Sequence, residues 1–184
     1  LCTVELPSSL RATAKDAIRK VLLEGRPEDL HLEAFELLTV AEPSTPSTSW
    51  LSSQEIESLV PTLLRLLLSR WDREDFCLGK PMMLLIRWVE AGEVSPMVTA
   101  GFAMKVLRSL GERERTSTTP LKWSEEQLQF LARASQLGRQ ALSRLSLHKD
   151  KVVAFLVKSL HHFCAAAMVT ECQQLALEML SFIC

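Results

Sequence analysis

Residues 59–70 read LVPTLLRLLLSR. Five leucines fall between positions 63 and 68, two residues after a proline. At about 100° per residue, Leu63, Leu64, Leu66, Leu67 and Leu68 point nearly all round a helix, so this element needs cover on several sides. Pro61 has no amide hydrogen to give to the Glu57 carbonyl, so it either bends the helix or marks a restart after a short first segment. A chain carrying this segment must therefore supply other helices to surround it.

The rest of the chain reads as that supply. Its 33 leucines, absence of tyrosine and only six glycines favour helix over sheet. Hydrophobic periodicity and caps predict about eight helices. The first runs from Ser9 to Glu24 and closes at Gly25. The second starts with Pro27 in its first turn and continues to Val40. Ser52 and Glu55 form a capping box for the third, which reaches Arg70. Asp72 caps a fourth, broken or kinked at Gly79-Lys80-Pro81 and resuming as MMLLIRWVEA. Ser95-Pro96 starts a fifth that stops at Gly111. Ser124 to Gln127 opens a sixth reaching Leu147, Asp150 a seventh, and a Thr170–Gln173 capping box an eighth. No segment alternates with period two for long enough to form a sheet, so the expected class is all-α. Residues 1–184 are expected to form a single helical-repeat domain with long loops near 41–52 and 111–122, beyond the usual two to eight residues of a helix–helix connection.

One pattern recurs: AFELL at Ala34 to Leu38, AMKVL at Ala103 to Leu107 and ALEML at Ala176 to Leu180. Its small first residue lets a neighbouring helix approach, and its apolar spacing makes one adhesive face. Proline in a Leu-rich helix beside LL pairs resembles the buried helices of Armadillo and HEAT repeats, and the paired-helix pattern extends this likeness over most of the chain. The resemblance implies an α-solenoid of stacked antiparallel pairs, with no catalytic residues, that binds a protein partner along a helix-lined groove. It also brings the pattern close to the large Armadillo-type proteins of meiosis, implying a nuclear, chromosomal complex. The chain opens on Leu1 and closes on EMLSFIC, so both ends are expected to be cut from a longer array. Leu180, Phe182 and Ile183 would then pack on a following repeat.

Bulk properties narrow the setting. A formal charge of −1 argues against a strongly basic nucleic-acid module. The alternative reading is therefore local: Arg133, Arg139, Arg144, Lys149 and Lys151, on the sixth helix and its exit, could neutralise phosphates. Five scattered cysteines suggest a reducing compartment, cytoplasm or nucleus. Apolar runs are cut by Arg65, Lys80, Arg87, Lys158 and Glu171, so no membrane span is expected.

Chemistry-bearing constellations are sparse. His161 and Cys164 share a helix face, with His162, His148 and Cys172 near, but there is no CxxC knuckle and the segment FLVKSLHHFCAAAM patterns as core. Cys164 is expected to be buried and His161 or His162 exposed. Asp72, Glu74 and Asp75 suit a helix start rather than acid–base work. No phosphate loop, GxSxG or HExxH occurs. The expectation is no enzyme, no cofactor and no metal. Trp71 and Trp88 are expected in the core. Trp50 and Trp123 stand at helix approaches as packing staples, or as interaction anchors if exposed. The candidate interaction residues are Trp50, Trp123, Arg133, Arg139, Arg144 and Lys149.

Overall fold

The computed structural model describes residues 8–23, 28–41, 51–73, 78–117, 121–145, 153, 157 and 160–181. Among these residues there are eight α-helices: α1 (Ser8–Leu23), α2 (Glu28–Ala41), α3 (Ser53–Arg70), α4 (Gly79–Glu90), α5 (Pro96–Thr116), α6 (Glu125–Leu145), α7 (Leu160–Ala166) and α8 (Thr170–Ser181). The described residues contain no strand. The protein is all-α, as the patterning predicts.

Several helices begin where their caps require. Ser52 Oγ accepts from the Glu55 amide while Glu55 Oε2 accepts from the Ser52 amide at 2.8 Å, closing the box that starts α3. Ser95 Oγ accepts from the Val98 amide and Pro96 follows it into α5. Ser124 and Gln127 satisfy each other's amides at the start of α6.

Other boundaries differ from expectation. Helix α4 begins at Gly79, so Pro81 occupies its first turn, where a missing amide costs nothing; the helical stretch expected before it falls on 74–77, outside the described residues. Asp72 pairs with Arg113 at 2.6 Å, spanning α3's exit and α5. Gly111 lies inside α5, which runs on to Thr116. Thr170 is the first helical residue of α8 rather than the cap before it.

Helices adjacent in sequence pack as α1 on α2, α3 on α4, α5 on α6 and α7 on α8. Contacts then skip one element. One row runs α2, α4, α6, α8 and the other α3, α5, α7, with α1 joined to α3 by the Arg19–Glu55 ion pair. Helices of the first row begin at residues 28, 79, 125 and 170, spacings of 51, 46 and 45. Helices α1, α3 and α5 begin at 8, 53 and 96, spacings of 45 and 43. The start of α7 at 160 lies 64 residues after that of α5. The Ala-apolar-charged-apolar-Leu pattern does not follow the rows, since Ala34 and Ala176 lie in one row and Ala103 in the other.

Buried side chains from all eight helices join one core. Its tightest points are on α5. A Cβ at Gly138 would stand 2.6 Å from Ala103 Cβ and 2.8 Å from a Leu175 methyl, so α6 lies close against α5 there and the Leu175 side chain of α8 fills the remaining space. A Cβ at Gly111 would overlap the His162 backbone, so α7 crosses α5 at that point. A second tie is aromatic. The Trp71 ring stacks between Trp123 (centroids 5.6 Å apart) and Phe130 (6.1 Å), and Phe102 meets Phe130 edge-on. Arg113 lies over the Trp71 ring while holding Asp72. Trp71 and Trp88 are buried, as predicted.

These crossings set an order for three alanine substitutions, read by urea denaturation. Gly101 has nothing within 4 Å of an added Cβ, so Gly101→Ala should raise stability by about 0.5–1 kcal/mol through helix propensity. Gly138→Ala must push the Ala103 methyl, which has no rotamer to yield, and should cost about 1–2 kcal/mol. Gly111→Ala meets unyielding backbone and should cost about 2–3 kcal/mol. Equal effects at all three sites would contradict the crossings.

The same crossing carries a pH response. Burial pushes the His162 imidazole below the ordinary histidine range, the adjacent His161 ring acts in the same direction, and Glu112, with Oε1 3.7 Å from Nε2, opposes both. The unfolded chain therefore takes up the His162 proton more readily than the folded one. This contribution to stability is complete above pH 6.5 and declines as pH falls from 6.5 toward the lower folded value. Urea midpoints measured from pH 7.5 to 5.5 should fall in the wild type and fall less in His162→Gln.

Candidate functional site

The sequence-predicted interaction residues are not gathered into one site. Trp50 and Lys149 lie outside the described residues. Trp123 is half-buried in the aromatic stack and donates from Nε1 to Glu114 at 3.2 Å, so it works as a staple across the α5–α6 turn. Arg133 reaches the Gly79 carbonyl at the start of α4 (3.4 Å), beside a small cleft of about 120 Å³ lined by Trp71, Gln127 and Phe130. Arg139 pairs with Glu178 of α8 at 2.8 Å. Arg144 is exposed. At about 100° per residue, Arg133 and Arg144 nearly share a face of α6 while Arg139 lies roughly 120° away. Two of these three guanidiniums are thus engaged within the fold, and the basic helix is not a continuous stripe.

The histidine–cysteine group is also divided. His161 and Cys164 are exposed, whereas His162 and Cys172 are buried, so the expectation of a buried Cys164 is corrected. Burial raises the Cys172 thiol to about 12, with Glu171 adding to the effect, leaving it protonated and inert near neutral pH. Among the described residues, no group of three His, Cys, Asp or Glu side chains is placed to hold a metal ion. No helix among them is long and apolar enough to cross a membrane.

A wider concavity lies elsewhere, between α3, the start of α5 and the turn joining α4 to α5. It encloses about 1070 Å³. The turn follows from its sequence, AGEV. Gly92 takes a φ of 81°, allowing its amide to reach the Val89 carbonyl (3.1 Å) and the Glu93 amide to reach the Trp88 carbonyl (2.9 Å). This is a Schellman closure, and its left-handed residue favours glycine. It delivers Glu93 to the groove, where Ser53 Oγ donates to its carboxylate at 3.1 Å.

Helices α3 and α5 run parallel along this groove: Ser53 meets Glu93 near their starts, and Asp72 meets Arg113 near their ends. The leucine run divides accordingly. Leu63, Leu66 and Leu67 are buried toward the core, while Leu64 and Leu68 are half-buried and line the groove with Val60, exposed Pro61 and Val98. The five leucines are covered on one side by the core and only partly on the other. Charge is polarised along the axis. Glu57 and Glu93 border the end nearest the helix starts, and Arg65 and Lys105 stand two to three turns further on.

Pro61 neither ends nor restarts α3, which is assigned as one helix from Ser53 to Arg70. It does remove the amide that would close on the Glu57 carbonyl, and both residues line the groove. The proline signal was visible in the sequence. Its position at an open groove was not, because that depends on where α5 begins relative to α3.

Pro61→Ala should restore that helical bond and raise stability by about 1–2 kcal/mol, after subtracting the entropy that proline removes from the unfolded chain. A urea midpoint at or below the wild-type value would show that the ring's groove contacts outweigh the lost bond. Compared with protein-family models, curated proteins and solved structures, the chain matches none.

Proposed function

We propose that this chain is a helical-repeat scaffold of the Armadillo/HEAT type that holds a partner protein in the α3–α5 groove and performs no covalent chemistry. The observation that carries the reading is the partly open apolar face of α3, where Leu64 and Leu68, half-buried at the edge of the core, line a groove with exposed Pro61. Two alternating rows of helices, with starts 45 to 51 residues apart in the row α2, α4, α6, α8, support the solenoid arrangement. Cys164 and Cys172, both free thiols, support a reducing setting in cytoplasm or nucleus. The engagement of Arg133 and Arg139 within the fold weighs against the nucleic-acid alternative.

Selection of a displayed random-peptide library on the folded chain tests the proposal, with amide hydrogen exchange locating the selected ligands. Protection should concentrate on α3 and the first half of α5, and binding should persist at 0.5 M salt, unlike phosphate contacts. Leu64→Glu with Leu68→Glu should abolish selection while the helical circular-dichroism signal is retained. Failure to enrich any ligand, or protection confined to α6, would overturn the reading.

A further inference from the structure

Building on the groove reading, we infer that the occupant is an extended segment of a partner protein, about seven residues long, basic at one end, apolar in the middle and acidic at the other. Three observations point to it. The first is size. The lining residues of α3 run from Ser53 to Ser69, about 24 Å along the axis at 1.5 Å per residue. An extended chain rising about 3.3 Å per residue covers that length with about seven residues.

The second observation is hydrogen bonding. Pro61 removes the usual i+4 donor to the Glu57 carbonyl beside the groove. An extended segment brings unpaired backbone amides to such a group, whereas a helix has already used its own. The third is charge. Glu57 and Glu93 lie at one end, Lys105 toward the other, and Val60, Pro61, Leu64, Leu68 and Val98 between them. Alternate residues of an extended chain face the same side, so the complementary pattern is basic-x-apolar-x-apolar-x-acidic.

The probes are four peptides, acetylated and amidated to remove terminal charges: KSLSVSE, its reverse ESVSLSK, and the like-charged KSLSVSK and ESLSVSE. Fluorescence anisotropy should show at least one of the mixed-charge pair binding at least tenfold more tightly than either like-charged peptide. Lys105 is exposed, so Lys105→Glu should leave the fold intact and move the preference toward KSLSVSK. Equal binding of all four peptides, or a preference unmoved by Lys105→Glu, would overturn the charge assignment. An 18-residue amphipathic helix that binds the wild type but not the Leu64→Glu, Leu68→Glu variant, while the short peptides fail, would overturn the extended occupant and leave the groove reading standing. Failure of both peptide classes would remove both.

Discussion

The near-contact of backbones around α5 is the constraint on which the other features rest. At Gly138 the methyl of Ala103 and the Leu175 side chain occupy the space a β-carbon would take, and at Gly111 the His162 backbone does so. Because interiors are close-packed and backbone cannot rotate away, these points place α6, α7 and α8 relative to α5 within narrow limits. Helix α5 packs on α3 in its own row and on α6 in the other. Once it is placed, the Trp71–Trp123–Phe130 stack closes the corner between α3 and α6, and Arg113 ties the end of α3 to α5.

The groove follows from that placement. The far ends of α3 and α5 are drawn together by Asp72 and Arg113, while at the near end a glycine turn holds Glu93 against Ser53. Between these ties the solvent-facing side of α3 carries a proline and two half-buried leucines. A proline inside a helix breaks a local rule at some cost in stability, and local rules are most often broken where a surface has another use. The Glu55 box at the head of α3 is secured separately. The Ser52 amide holds the Glu55 carboxyl below the usual carboxylate range against the opposing effect of burial, with the Ser52 hydroxyl and Arg19 adding to the lowering.

Much of the fold was legible in the order of residues because capping chemistry is local. Ser52 with Glu55, Ser95 with Pro96, and Ser124 with Gln127 each satisfy amides within four residues, and each starts a helix where the pattern placed it. The misreadings involve residues whose local meaning is ambiguous. Glycine at 111 serves equally as a stop or as a close approach, and only the crossing of α7 selects the second. Proline at 81 could kink a running helix or sit in the first turn of a new one, and the start of α4 at Gly79 puts it in a first turn. The sequence placed Arg133 and Arg139 on α6 as candidates to meet phosphate, but the Gly79 carbonyl and Glu178, distant along the chain, take them.

Helical class, helix starts and an unusually apolar α3 were thus written locally, since they depend on periodicity and on hydrogen bonds between near neighbours. Which leucines of that helix are covered, which arginines are engaged, and where a groove opens were settled only by long-range packing. Those outcomes depend on the distance between helices in a row, and that distance is set where glycine permits backbones to meet.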